Sequence, residues 1–321
     1  MKKLLKFILW LLAFAIIIVG GAALYISIKG IPKYETQKVD LKIEVTPERV
    51  EKGLKLAQNL CIRCHLDPKT NKLSGHQIMD LPAEFGKAYS ANITNDKEHG
   101  IGAHTDGEIA FLLRTGIKRN GQYSPPWMPK LVHASDEDIA SIIAFLRSDL
   151  PVVQADPSPS VPAEPSFLAK FLCYVAFKPI PYPTAPISEP DTNNLVAYGK
   201  YLVAGRYDCY PCHSADFKTM NIAEPEKTEG YLGGGNVITN LEGKGVRSAN
   251  LTSDEETGIG KWTLQQFSDA VRNGKRPNGN ALRYPMEPFP NFTDREVEAI
   301  YTYLRSVPKI KHNVDRNLVD L

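Results

Sequence analysis

The feature of this sequence that most constrains its fold is an internal duplication. Residues 90–147 align without a gap with residues 248–305, and 19 of the 58 aligned pairs are identical. Self-similarity of this kind is typical of two copies of one structural unit. The chain has 321 residues, which is enough for two domains of ordinary size. We therefore predict two similar domains.

Both copies contain three helix signals in the same order. The first helix begins after an N-capping threonine in one copy and has a partner around residues 195–204 in the other. The second opens with a capping box and stops at a glycine, and the third carries an apolar stripe. Because no convincing alternating pattern indicates a sheet, we predict mainly α-helical domains. The residues that begin or end these helices are Thr46, Pro47, Thr105, Gly116, Ser135, Thr263, Gly274 and Thr293.

The N-terminus contains an apolar stretch long enough to cross a bilayer. Phe7–Ile28 is free of charged residues, and Lys2, Lys3 and Lys6 precede it. The positive-inside rule puts these lysines in the cytoplasm, so the remaining chain would lie on the periplasmic side of the inner membrane. We predict a transmembrane anchor at residues 1–30. The alternative is a cleaved signal peptide with a site near residues 21–23.

A proline-rich segment separates the two copies. Residues 151–190 contain ten of the 24 prolines, which predicts an extended, semi-rigid linker between domains at 31–150 and 191–321. Within the linker, Phe167–Phe177 is an apolar island that either packs on a domain or touches the membrane surface. It contains Cys173, which we interpret as a small buried hydrophobic residue.

The other four cysteines fall in two identical motifs, Cys61–His65 and Cys209–His213. Each motif is Cys-x-x-Cys-His, the pattern of c-type haem attachment, in which two thiols bind one haem edge and the next residue reaches the iron. A zinc ribbon would have its cysteine pairs roughly 15–20 residues apart, and a redox dithiol would lie in a βαβ unit, so both are disfavoured. We predict two covalently bound haem c groups, held by Cys61, Cys64, Cys209 and Cys212, with His65 and His213 as proximal iron ligands.

Met128 and Met286 are the only two of the five methionines at equivalent repeat positions, each in a proline-rich loop. We predict that they are the distal iron ligands, because a thioether raises the reduction potential and favours electron transfer. A core-filling methionine is the alternative. Four histidines of the first copy are further candidates, although the second copy aligns no histidine with them: His76, His99, His104 and His133.

Two matched pairs of polar residues have two interpretations each. Arg114 and Arg272 pair with haem propionates or complement a helix C-terminus. Asn92 and Asn250 brace a loop or donate to a propionate.

Each half resembles a class I cytochrome c domain, over roughly residues 46–150 and 192–307. The halves are more specifically similar to cytochrome c subunits of membrane-bound alcohol and gluconate dehydrogenases, on Ala91–Thr94, Gly100–Gly102, the two methionine loops and the matching positions of the second copy. The resemblance implies a mainly α fold, with an N-terminal transmembrane helix followed by two tandem class I cytochrome c domains. Those subunits usually carry three haems, whereas this sequence has two motifs.

These observations predict a membrane-anchored dihaem cytochrome c that relays single electrons and has no catalysis of its own. Its partners would be redox proteins, namely a dehydrogenase or quinol-oxidising complex and a downstream acceptor. The alternative is a dihaem cytochrome c peroxidase, which needs an open iron and an acid–base group such as Glu84, Glu98 or Glu108. A third reading is a thiol-ligated dihaem dehydrogenase using Cys173. The formal net charge of +2 disfavours nucleic acid as a partner.

Overall fold

The structure, a computed structural model, describes residues 1–320 and is dominated by helices. The helices, in chain order, are α1 (Lys2–Lys29), α2 (Pro47–Leu60), α3 (Ile62–His65), α4 (Asp106–Thr115), α5 (Asp136–Leu146), α6 (Phe167–Val175), α7 (Leu195–Tyr201), α8 (Tyr210–His213), α9 (Leu264–Asn273) and α10 (Asp294–Ser306). Short 3₁₀ turns lie at Ala83–Phe85, Pro151–Val153, Phe217–Thr219 and Pro225–Lys227.

Within residues 1–320, α1 is the one helix long and apolar enough to cross a membrane. Most of its side chains are exposed, and Ile26 alone among them is buried. An apolar helix with exposed sides is the form that a lipid-facing segment takes. The position and length of α1 are therefore consistent with membrane anchoring.

The predicted helix starts and stops are found in both halves. Thr46 caps α2, and complete capping boxes open α4 at Thr105 and α9 at Thr263. Gly116 and Gly274 end these last two helices with left-handed φ angles of 79° and 70°. Glycine adopts the left-handed backbone conformation with little loss of free energy. The glycines at these positions therefore explain why both helices end there.

The same helix crossing builds each half. A Cβ atom on Gly53 of α2 would lie 1.9 Å from the Ser141 carbonyl oxygen of α5. A Cβ atom on Gly199 of α7 would lie 2.0 Å from the Ala299 carbonyl oxygen of α10. Both crossings are closer than any side chain allows, so glycine is required at each. The first helix of each half thus packs on the last in the same way.

The first helix of the second half ends differently from its counterpart. The α-helical part stops at Tyr201, and a π-helical turn follows at Leu202–Arg206. Cys209 lies ten residues after Gly199, whereas Cys61 lies eight residues after Gly53. The wider π turn helps to accommodate the longer segment without disturbing the crossing.

Five short strands correct the expectation that the domains contain no sheet. They are β1 (Gly86–Lys87), β2 (Glu164–Pro165), β3 (Val237–Thr239), β4 (Lys244–Arg247) and β5 (Val319–Asp320). Strands β1 and β2 pair antiparallel, and β3, β4 and β5 form a second antiparallel sheet in that order. With two to four residues each, they are too short to produce a readable alternating pattern.

The proline-rich segment is not a free-standing spacer. It contains α6, capped by Ser166, because Phe167–Phe177 is free of proline. Strand β2 pairs with β1 of the first half, and the rings of Phe111 and Tyr182 stack with centroids 5.8 Å apart. The amide of Asp136 donates to the Ile187 carbonyl at 2.8 Å. The segment therefore wraps the first half, and the expectation of an extended linker without helix or strand is wrong.

A buried ion cluster joins the two halves. Arg206 donates to both carboxylate oxygens of Asp138, at 2.7 and 2.9 Å, and lies 3.6 Å from Glu296. These three residues are 4%, 1% and 2% exposed. Lys52 of α2 contacts Asp138 at 2.8 Å, and Lys55 contacts Glu296 at 2.5 Å. Asp138 and Glu296 occupy the same repeat position, so equivalent acids of the two halves meet at one guanidinium.

The cluster keeps its carboxylates ionised although they are buried. Burial raises the pKa of Asp138, but its hydrogen bonds and charge contacts with Arg206 and Lys52 outweigh burial and give a net lowering. The pKa of Glu296 is likewise lowered, because burial is outweighed by Lys55 and by the hydrogen bonds from Thr293 and Tyr207. Each carboxylate therefore depends on the cationic groups around it.

We expect Arg206→Ala to destabilise the protein by about 3 kcal/mol. Removing one member of a buried ion cluster leaves uncompensated buried charge, which costs about 3–5 kcal/mol, and the remaining lysines place the expected value at the lower end. The measurement is urea unfolding of the detergent-solubilised full chain. The control is Lys227→Ala, which removes an exposed ion pair with Glu224 and should cost less than about 1 kcal/mol. Equal effects of the two variants would contradict this account.

Candidate haem-binding sites

Each Cys-x-x-Cys-His motif lies on a single helical turn. Cys61 precedes α3 and Cys64 lies within it, while Cys209 and Cys212 hold the same places at α8. All four cysteines are half-buried. Residues three apart share one side of a helical turn, so both thiols of a motif can reach the same flat group.

The motif histidines are oriented by matched backbone carbonyls. His65 Nδ1 lies 2.8 Å from the Ala91 oxygen, and His213 Nδ1 lies 2.9 Å from the Ala249 oxygen. When Nδ1 carries the proton and donates it, Nε2 keeps its lone pair for a metal. Burial lowers the pKa of both imidazoles, which favours the neutral form that ligates iron. The two rings fit the role of proximal ligand.

The asparagine that follows each carbonyl braces its loop. Asn92 Oδ1 accepts from the amide and hydroxyl of Thr94, and Asn250 Oδ1 accepts from those of Thr252. Asn92 Nδ2 donates to two linker carbonyls, whereas Asn250 Nδ2 donates to the Ile310 carbonyl. The loop-bracing interpretation of these residues is confirmed.

The Gly-Ile-Gly segments of the two copies pack onto the same loops. A Cβ atom on Gly100 would lie 2.4 Å from the Thr94 oxygen, and one on Gly258 would lie 2.2 Å from the Thr252 oxygen. The repeated glycines are therefore explained by close backbone approach.

The matched arginines lie in the last turns of α4 and α9, as the helix C-terminus interpretation predicts, and each also forms an ion pair that sequence reasoning missed. Arg114 pairs with Asp136 at 2.7 Å, and Arg272 pairs with Asp294 at 2.7 Å. Arg114 also donates to the carbonyls of Leu131, Val132 and Ala134. Each arginine thus ties the end of the second helix to the start of the third, as the shared Arg-x₂₁-Asp spacing of the two copies could have suggested.

The four other histidines of the first half occupy separate positions. His76 lies beside the first motif, with Nε2 3.3 Å from the Arg63 oxygen and Nδ1 2.7 Å from the Gln77 oxygen. His133 Nε2 contacts the Ile222 oxygen of the second half at 2.6 Å. His104 has a buried Nδ1, and His99 lies 3.9 Å from Glu98.

Met128 and Met286 are both half-buried in their loops. Lys130 Nζ holds the first loop by donating to the carbonyls of Ser124, Pro125 and Met128, at 2.6 to 2.8 Å. Burial lowers the pKa of Lys130 to about 7. In the second loop, the Met286 amide donates to the Arg283 carbonyl at 2.9 Å.

Sequence reasoning missed a group of half-buried basic side chains, one of which lies near the second motif. Lys118 and Arg276 share one repeat position, and burial lowers the pKa of Lys118. Arg276 Nε is buried and has no hydrogen-bond partner within residues 1–320. Arg316 lies near Arg276 and Arg283, and its charge acts on His213. The unpartnered Nε of Arg276 and the positive charge of Arg316 near His213 suit the propionates of a haem. The matched basic residues at 118 and 276 were the signal in the sequence.

The first motif touches the methionine loop of the second half. The Arg63 guanidinium carbon lies 4.7 Å from the centre of the Tyr284 ring, and its nitrogens contact the Pro285 oxygen at 3.0 Å and Asp80 at 2.8 Å. The Tyr284 hydroxyl also donates to Asp80 at 2.8 Å. The three side chains close a small network between the halves.

Arg63 acts on cysteines of both motifs. Burial raises the pKa of Cys64 and of Cys212, and the positive charge of Arg63 opposes the rise at each thiol. One guanidinium therefore lies within electrostatic reach of both candidate sites.

Comparison with known proteins agrees with this chemistry. No family model matches the chain. It is 29% identical over 262 residues to the fructose dehydrogenase cytochrome subunit of Gluconobacter japonicus, which covers 77% of this chain and 50% of that protein. It is 28% identical to the gluconate 2-dehydrogenase cytochrome c subunit of Pantoea cypripedii, over 77% and 56% of the two chains. A diheme cytochrome c-type protein of Cereibacter sphaeroides is 26% identical, over 78% and 83%.

The chain is similar in sequence to the cytochrome c subunits of several dehydrogenases. It spans about half the length of the dehydrogenase subunits that it matches. Relatives of this kind imply covalently bound haem c and a role in electron transfer. Each of the two motifs contains two thiols and one imidazole, the groups that such a haem would require.

We expect Arg63→Gln to lower the reduction potentials of both candidate haem sites. A nearby positive charge favours the reduced state, and its loss leaves the Asp80 carboxylate uncompensated, so the shift should be on the order of tens of millivolts. Potentiometric titration of the full chain measures it. The control is Arg295→Gln, which breaks an ion pair with Glu298 on the surface of α10 and should leave both potentials unchanged. A shift at one potential alone would show that Arg63 serves a single site.

Proposed function

We propose that this chain is a membrane-anchored dihaem cytochrome c that relays single electrons on the periplasmic side of the inner membrane. The observation that carries the proposal is the contact of Arg63 with Tyr284 and Pro285, which brings the first motif against the second methionine loop. Two redox groups held at adjoining sites form a relay rather than two independent carriers.

In this proposal each half holds one haem c. Cys61 and Cys64 attach the first and Cys209 and Cys212 the second. His65 and Met128 ligate the first iron, and His213 and Met286 the second. A haem c held in this way supplies one-electron exchange between ferric and ferrous iron. The matched Nδ1 contacts of the two histidines and the equivalent positions of the two methionines support this set of residues.

The protein supplies rigidity and charge. The carbonyls of Ala91 and Ala249 fix the rotation of the imidazoles, and the asparagine braces hold those carbonyls in place. A fixed ligand set needs little rearrangement when the iron changes charge. Arg276 and Arg316 offer cationic groups to propionates at the second site.

The proposed architecture has four parts. Residues 1–30 anchor the chain, residues 31–150 and 191–321 form two tandem class I cytochrome c domains, and residues 151–190 connect them. The shared helix order and the matched crossings at Gly53 and Gly199 support two copies of one domain. The three lysines before the apolar stretch of α1 support a cytoplasmic N-terminus.

The proposed electron donor is a dehydrogenase or a quinol-oxidising complex, and the acceptor is a downstream redox protein. The relatives are named as subunits of fructose, alcohol and gluconate dehydrogenases, which supports a dehydrogenase as partner. Redox encounters of this kind use small, transient contacts. These relatives and the matched methionines do not favour the peroxidase alternative.

We expect the wild-type chain to carry two haem c groups and each motif to account for one. Replacing Cys61 and Cys64 together by alanine should halve the haem content, and so should replacing Cys209 and Cys212. The pyridine haemochrome spectrum per chain and the intact mass measure this. Cys173→Ala is the matched control, because this cysteine is buried in α6, and it should retain both groups. Loss of a haem from the Cys173 variant would contradict the assignment.

We expect reduced wild-type protein to leave its optical spectrum unchanged under carbon monoxide, because both irons are closed. Met128→Ala or Met286→Ala should each open one iron, so about half of the haem absorption should shift. Met79→Ala is the control, because Met79 is exposed and should behave like wild type. A prompt shift in the wild-type protein would overturn the paired methionine ligands and make peroxide turnover the next assay.

A further inference from the structure

Helix α6 presents an apolar face that the other residues of 1–320 leave exposed. Phe167, Leu168, Phe171 and Val175 are between 39% and 56% exposed, and the first and third of them stack with ring centroids 6.3 Å apart. At 100° per residue, these four positions fall within one 100° arc of the helix. The opposite side, which includes Cys173, is buried against the first half. We call the four residues the α6 apolar face.

An aromatic contact fixes the position of α6 along the axis of α1. The ring of Tyr174 lies 6.2 Å from the ring of Tyr25, in an edge-on arrangement. Tyr25 lies three residues before the end of the uncharged stretch Phe7–Ile28, which is about 4.5 Å along the helix axis. The C-terminal end of α6 therefore lies level with the last turn of the apolar stretch.

The residues around α6 match the composition of a membrane–water interface. Tyr25 and Tyr174 are of the type enriched where hydrocarbon meets headgroups. Lys29 ends α1, Lys170 lies within α6, and Lys178 follows it. Lysines beside an apolar helix face suit the anionic headgroups of a bilayer. The charge pattern favours a lipid surface as the occupant of this face.

We propose that α6 lies in the lipid–water interface with its apolar face in the acyl boundary. The first half is then attached to the bilayer at two places, α1 and α6, and its tilt is fixed. This inference rests on the proposed membrane anchoring by α1, because Tyr25 sets the depth of α6.

The same contacts hold the first methionine loop close to the membrane. Tyr123 donates to the Lys178 carbonyl at 3.3 Å, and Lys130 Nζ lies 5.0 Å from the centre of the Tyr123 ring. Lys130 in turn holds the carbonyl of Met128. These contacts connect the Met128 loop to the end of α6 through Tyr123 and Lys130.

Photocrosslinking in lipid nanodiscs tests this placement in the full chain. We would introduce p-benzoylphenylalanine in place of Phe171, and separately in place of Ile16 in the middle of α1 and Phe217 on the second half. Phe217 is the matched control, because it is also an exposed phenylalanine, at 43% exposure. The discs contain phosphatidylethanolamine and phosphatidylglycerol, and unchanged haem content verifies that each variant is folded.

We expect phospholipid adducts, detected by intact mass, at Ile16 and Phe171 in comparable yield and none at Phe217. Adducts at Ile16 without adducts at Phe171 would overturn the inference and leave the anchor intact. Absence of adducts at Ile16 would instead overturn the proposed anchoring itself. Crosslinks from Phe171 to a second chain would show that another copy covers the α6 apolar face, which also overturns the inference.

Discussion

The arrangement of the two halves depends on one buried guanidinium. Arg206 is held between Asp138 and Glu296, which are equivalent residues of the repeat. A buried charge cluster tolerates little sliding, because any shift leaves a charge without a partner in a poorly polarisable surrounding. The planar fork of arginine further fixes the angle at which it meets a carboxylate. The contact between Arg63 and Tyr284, on which the proposed relay depends, joins the same two halves as this cluster.

The two copies of the repeat resemble each other more closely in their loops than on their helix surfaces. The matched residues of the two copies include the alanine carbonyl that orients each motif histidine, the asparagine brace and the glycines packed on it. These contacts are internal to one half, so each copy needs them in the same form. Helix faces that meet the other half differ, as the acid pair Asp138 and Glu296 shows. One copy supplies an aspartate and the other a glutamate because they reach the same guanidinium from different backbones.

Sequence reasoning succeeded where the signal is local and failed where it is not. The capping boxes, the left-handed glycines and the loop-bracing asparagines follow from spacings of a few residues, and all are found. The packing of residues 151–190 onto the first half could not be predicted, because proline content reports backbone stiffness and not what the chain lies against. Arg206 and Arg63 were missed for the same reason, since their partners lie 68 and 222 residues away. The ligand residues were predicted from motif and repeat position, and they stay predictions.

The contacts also give the two candidate sites different surroundings, although the sites descend from one repeat. The first half lies against α1, α6 and the proline-rich segment, whereas the second half touches the first motif through Tyr284 and Pro285. The first site therefore lies between the helix proposed to anchor the chain and the second site. In the proposed relay the first site would be the one nearer the membrane. Duplication alone would give two sites with equal surroundings, and the packing around Arg206 and Arg63 makes those surroundings different.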